Sequence, residues 1–175
     1  ASDVTHAAVS DSASPSIAVN AGAFAKLQVL SPGETALPGS ATGKAGTPTA
    51  QTAAVPFNVT ANAVDANWNL VTNVSDSVAI TSSDANAVLP ANAALVAGTQ
   101  SFSVTLKSSG SHTVTASDVT DGTKTANTSS AIPVNAGPFV KLQLLMPGET
   151  ASPGSATGKT STQSSHSSAP PLLSR

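Results

Sequence analysis

The sequence has no cysteine and no tyrosine, and it is poor in charge: Asp, Glu, Lys and Arg together make up 9% of its residues and aromatics 3%. Each shortage excludes something. Without cysteine there can be no disulfide staple, no thiolate metal centre and no thiol nucleophile. Seven basic residues stand against nine acidic ones, for a net charge of −2, and no window gathers Lys or Arg. The electrostatic footprint of a nucleic-acid binder is therefore missing. No apolar run approaches the ~20 residues of a membrane helix and no basic segment leads into one, so no membrane insertion is expected. The chain reads as soluble, either mature or a fragment. Four Phe and a single Trp leave few large side chains for a core, which has to be thin and aliphatic.

What fills the chain instead is Ala, Ser, Thr, Val and Asn, small and β-branched side chains suited to pleated, half-buried strands. Its 175 residues suffice for one domain with extensions, or for two very small ones. An internal repeat decides the organisation. Lys26-Leu27-Gln28-Val29-Leu30-Ser31-Pro32-Gly33-Glu34-Thr35 returns as Lys141-Leu142-Gln143-Leu144-Leu145-Met146-Pro147-Gly148-Glu149-Thr150, an offset of 115 residues. The same offset holds without a gap from Ala1-Ser2-Asp3-Val4-Thr5 (matching Ala116 to Thr120) to Pro38-Gly39-Ser40-Ala41-Thr42-Gly43-Lys44 (matching Pro153 to Lys159). Val19-Asn20-Ala21-Gly22 and Val134-Asn135-Ala136-Gly137 mark two junctions. The division that follows is residues 1–22 as the C-terminal strands of a preceding repeat, 23–137 as a complete repeat, 138–159 as the first strand and loop of a following one, and 160–175 as a disordered tail.

Within the complete repeat, apolar and polar residues alternate with period two. Phe57, Val59, Ala61 and Ala63 face one way and Asn58, Thr60 and Asn62 the other; Phe102, Val104 and Leu106 alternate with Ser101, Ser103, Thr105 and Lys107. Weaker alternation marks Lys26 to Leu30, Ser77 to Thr81, His112 to Ala116 and Ala131 to Val134. Turn chemistry separates these runs at Asp65-Ala66-Asn67, Ser83-Asp84-Ala85-Asn86, Ser108-Ser109-Gly110 and Asp121-Gly122. No stretch carries a helical apolar stripe. About seven short strands in this length predict an all-β fold, an immunoglobulin-like antiparallel β-sandwich with partial neighbouring repeats at both ends. Ser31 to Val55, broken by Pro32, Gly33, Pro38, Gly39, Gly43, Gly46 and Pro48, is expected to be an exposed or edge-wrapping loop. Its recurrence in the next unit gives it a role in packing at the repeat junction or leaves it a solvated loop.

Phe57 to Val71, a strand running into an Asp-Ala-Asn turn, resembles bacterial Ig-like domains of the invasin and intimin type, and Ser101 to Ser117 resembles the later hairpin of those domains. The resemblance covers about half of the complete repeat, and the sequence departs from it at Trp68, where the family usually has glycine. It implies a cell-surface or extracellular setting and no particular ligand.

Chemistry is sparse. His6, His112 and His166 do not pair as ligands, and no Gly-x-Ser-x-Gly elbow accompanies the many serines, so no enzyme is expected. Asp65 with Asn67, Asp84, Asp118 and Asp121 fall at strand ends, as does Asp76, where extracellular sandwiches can hold calcium through six to eight oxygens. The competing and favoured reading is that they build Asx-turns, which would leave no cofactor. Trp68 is the candidate contact residue, as a structural cap on the sandwich or as a face for a sugar or partner. Lys26 and Gln28 carry no assigned role. The leading expectation is a structural, non-catalytic repeat of a surface adhesin, stalk or extracellular filament, partnered by identical subunits or adjacent repeats and able to exchange strands between subunits, with the ligand at the tip of such an array left open. The alternative is a carbohydrate- or ice-binding module using a threonine face of Thr105, Thr113 and Thr115.

Overall fold

The computed structural model describes residues 4–6 and 12–161. The expected tail from 162 to 175 lies outside the described residues. All regular structure among the described residues is β, in fourteen strands. Among the described residues no helix is long and apolar enough to cross a membrane.

In chain order the strands are β1 (Lys26–Leu30), β2 (Glu34–Ala36), β3 (Lys44–Gly46), β4 (Gln51–Thr52), β5 (Phe57–Val64), β6 (Ser77–Ser82), β7 (Ala93–Ala94), β8 (Thr99–Val104), β9 (Gly110–His112), β10 (Val114–Asp118), β11 (Asn127–Thr128), β12 (Ile132–Asn135), β13 (Glu149–Ala151) and β14 (Lys159–Ser161). One sheet has the order β1-β5-β8, a second β11-β10-β6-β7 and a third β4-β12-β9. β9 and β10 are separated only by Thr113, so the second and third sheets follow on from each other. Among the described strand pairs all are antiparallel except β4 with β12, which run parallel with Val134 opposite Gln51 and Asn135 opposite Thr52, and an isolated parallel bridge joins Lys26 to Thr125.

The alternating pattern places one face of each long strand inward. Leu27, Val29, Val59, Ala61, Ala63, Phe102 and Val104 from the first sheet meet Val78, Ile80, Val114, Ala116, Ile132 and Val134 from the other two in one buried cluster. The result is a β-sandwich whose core is almost wholly aliphatic, each fully buried Val or Leu contributing about 1.5–3 kcal/mol relative to exposure. Register matters because a one-residue slip would turn the Asn58, Thr60 and Asn62 face into this core; Lys26 lies opposite Val64 and Phe57 opposite Val104.

Three expectations need correction. Ser31 to Val55 is not loop throughout: β2 and β3 form a hairpin in which Glu34 faces Gly46, and β4 closes a sheet edge. The prolines and glycines fall in the turns between these short strands, where they interrupt no ladder. Residues 141 to 146 do not form a strand, and neither do the described residues 12 to 23; their apolar side chains, Ile17, Val19, Leu142 and Leu144 among them, are exposed and not buried against a sheet. The C-terminal order also runs past residue 159, since β13 and β14 pair from Glu149–Ser161 to Ala151–Lys159.

Candidate functional site

The carboxylates singled out in the sequence lie at three turns, and at the first two they are fully occupied by hydrogen-bond donors. Asp65 follows β5. Its Oδ1 accepts from the backbone N–H groups of Asn67 (2.8 Å) and Asn69 (2.9 Å). Its Oδ2 accepts from the Asn69 side-chain amide (2.9 Å) and from the backbone N–H of Gly22 (2.8 Å). The Asn69 amide first, and the Gly22 N–H next, favour the ionised form and hold this carboxyl down at about 2. Trp68 stands in the same turn with a left-handed backbone, φ 69°. Its ring lies against Gly43, where a Cβ would come within 2.2 Å of it, and under the Lys26 ammonium, 3.5 Å from the ring centroid. Lys26 also donates to Ala66 O at 3.0 Å, so the half-buried indole has Gly43 and the lysine as its neighbours. Gln28, buried, donates to Gly43 O at 2.7 Å and accepts from Asn62 at 3.1 Å. It ties the β2–β3 hairpin to the sheet.

Asp84, in the turn after β6, is buried and accepts four bonds. Oδ1 takes the Asn86 N–H (3.0 Å) and the Ser108 hydroxyl (2.9 Å); Oδ2 takes the Lys107 and Ser108 N–H groups (2.6 and 2.9 Å). Burial pushes its pKa up, but these donors outweigh it and the net direction is down. The turn so fixed presents Ser108 Oγ and Asn86 Nδ2 outward to Pro153 O, at 3.0 and 3.1 Å; the amide donates, and the single Ser108 hydroxyl proton is shared between this carbonyl and Asp84 Oδ1.

Asp118 Oδ1 accepts from the Thr120 and Asp121 N–H groups, whereas its Oδ2 is buried without a partner. Burial, followed by the Asp118 charge, raises the pKa of Asp76. Asp121 is lowered to about 2 by the Thr123 hydroxyl first, then by the Thr123 N–H and by Lys124, which it meets at 3.2 Å. The six calcium candidates thus fall into three places, Asp65 with Asn67, Asp84, and Asp76 with Asp118 and Asp121, and among the described residues no three His, Cys, Asp or Glu side chains converge on a metal position. His112 lies in β9 with Nε2 buried and unpaired, and His166 lies outside the described residues. The threonine platform is divided. Thr105 bridges to Val88, Thr113 falls between β9 and β10, and Thr115 pairs with Thr81 and Thr128.

What the sequence reading did not foresee is the C-terminal hairpin. β13 and β14 reproduce β2 and β3 at the 115-residue offset, with most of the same internal bonds. Leu37 N donates to Gly43 O at 2.6 Å and Ser152 N to Gly158 O at 2.6 Å. Gln28 reaches Gly43 O at 2.7 Å and Gln143 reaches Gly158 O at 2.6 Å. Glu34 pairs with Lys44 and Glu149 with Lys159. The hairpin is therefore encoded locally. Open grooves flank it and the other chain end: one of about 680 Å³, lined by Leu142, Leu144, Pro153 and Lys159 among others, and one of about 540 Å³, lined by residues 20–24 and 70–74. No family model matches this sequence, and no curated protein matches it.

Proposed function

We propose that the chain is a stretch of a tandem array of immunoglobulin-like repeats that acts as a structural, non-catalytic element of a bacterial cell-surface or extracellular stalk or filament. One observation carries the reading. Leu27 and Val29 in β1 are each 0% exposed, while Leu142 and Leu144, the same positions 115 residues on, are 88% and 79% exposed. Ile132 and Val134 are buried in β12, and their counterparts Ile17 and Val19 are exposed. A segment that keeps the alternating apolar residues of β1 or β12 but pairs with no sheet is accounted for as part of a unit whose remaining strands belong to a neighbour. The β1-β5-β8 sheet, the parallel β4–β12 edge and the aliphatic core support the immunoglobulin-like part of the reading.

Neighbouring copies then supply the missing strands, by continuation of the same polypeptide or by exchange between subunits. Sedimentation of the chain across a concentration series tests exchange. Concentration-dependent assembly that Leu142→Asp with Leu144→Asp abolishes supports it. A monomer at every concentration sinks exchange and leaves continuation within one polypeptide.

A further inference from the structure

Each end of the chain displays one half of a repeat junction. At the N-terminal end the linker is pinned, as the Gly22 N–H donates to Asp65 at 2.8 Å. At the C-terminal end the Pro153-Gly154 loop of the following hairpin is docked, with Pro153 O receiving Ser108 Oγ and Asn86 Nδ2. The docking is close. A Cβ on Gly154, at φ 79°, would lie 2.7 Å from Ser108 Oγ and 3.0 Å from the Lys107 backbone carbon. Gly39, one period earlier, has the same left-handed backbone, φ 78°, in the same hairpin, yet nothing lies within 4 Å of a Cβ built there. The Gly39 N–H is held by Asn67 O at 2.7 Å, but the face of this loop that meets Ser108 in the later hairpin meets nothing.

We propose that Pro38-Gly39 is a docking surface whose occupant is the Asp84-to-Asn86 and Lys107-Ser108 turn pair of a preceding copy of this repeat. Every junction is then held at two points: a linker glycine on an aspartate of the Asp65 type, and a Pro-Gly loop on a turn of the Asp84–Ser108 type. The chemistry matches a neutral partner, since the loop offers a backbone carbonyl and the turn offers a hydroxyl and an amide, both pre-oriented by Asp84. The contact is head to tail, so it builds an open linear series and does not close on itself. Two-point fixation stops consecutive units from swivelling, and the array is a rod. This inference rests on the tandem-array reading.

The test uses the chain lengthened by one period, with residues 23–137 present twice in series. Because the native sequence has no cysteine, Val119→Cys in both copies, at a position 51% exposed, gives two unique spin labels. Dipolar spectroscopy should return one narrow distance distribution. Gly39→Asn in the second copy should at least double its width, since asparagine tolerates the left-handed backbone but its side chain collides with the docked serine. The same change in the first copy should leave the width unaltered. In the chain of original length Gly39→Asn should lower the melting midpoint by no more than the small cost of an asparagine in the left-handed region, which separates lost docking from misfolding. A broad parent distribution, or a width indifferent to the second-copy substitution, overturns the docking. If lengthening the chain fails to raise the unfolding enthalpy by about one unit's worth, the array reading falls, and this inference with it.

Discussion

The pKa values of Asp65 and Asp76 are shifted in opposite directions, because one carboxyl is surrounded by donors and the other is desolvated by burial and faces a second carboxylate. Asp65, held at about 2, contributes stability that is fully present above the ordinary carboxylate value near 3.8 and is lost as pH falls through about 2. Asp121, also near 2, together with Asp84 and Glu149, both lowered, adds to the same window. The melting midpoint is therefore expected to hold steady from neutrality to about pH 4 and to drop steeply below it. Asp65→Asn should flatten that drop and lower the midpoint at pH 7; calorimetry over pH 2–7 measures both, and an undiminished drop in the variant counts against Asp65. Asp76 behaves the other way. Its pKa is raised by burial and by Asp118, with Asp121 adding and Lys124 opposing, so its ionised form costs stability as pH rises through that value. Asp76→Asn should raise the midpoint by a few degrees at pH 7 and give no gain at pH 3, where the native side chain is protonated. A lower midpoint at pH 7 would refute the repulsion.

At the scale of the element, the tightest test is the connection between Val96 and Thr99, whose backbones exchange hydrogen bonds of 2.9 and 3.1 Å across Ala97 and Gly98. Both central residues have positive φ, 50° and 76°, which is the signature of the type I′ hairpin turn. Alanine in the left-handed region costs roughly 1 kcal/mol, and asparagine is the favoured residue there. Ala97→Asn should stabilise by about 0.5–1 kcal/mol in urea unfolding. Gly98→Ala should destabilise by considerably more, because its Cβ would stand 2.2 Å from Val71 O. If the alanine variant is as stable as the parent, the turn assignment is wrong. This turn, the β2–β3 hairpin and the short β4 were not legible in the sequence. Two- and three-residue strands leave no period to detect, and the prolines and glycines that bound them read as loop. The long strands were legible because Val59, Ala61 and Ala63, or Phe102 and Val104, alternate over enough residues to state which face is buried. Trp68 was legible as an oddity, a bulky residue in a polar turn, but its left-handed backbone, φ 69°, was not. The tie made by Gln28 was not legible, since a polar residue between Leu27 and Val29 reads as the outward face of an edge strand until the hairpin folds over it.

At the scale of the whole molecule, the repeat makes one residue type a probe of two environments. Leu27 and Leu142 share the same sequence neighbours, Lys before and Gln after, so local propensity is matched and only tertiary context differs. Leu27 lies in the core cluster and Leu142 is 88% exposed. Truncating a buried leucine to alanine removes transfer energy and leaves a cavity, at a cost of about 2–5 kcal/mol; truncating an exposed one changes stability by less than about 0.5 kcal/mol. Leu27→Ala is therefore expected to shift urea unfolding strongly and Leu142→Ala hardly at all in the chain of this length. In a chain lengthened at its C-terminus by one further period, Leu142 acquires the strands corresponding to β5 and β8, and Leu142→Ala should then cost as much as Leu27→Ala. Equal and small effects at Leu142 in both lengths would mean that the repeated strand never enters a sandwich, and that the 115-residue identity has some origin other than a repeating fold.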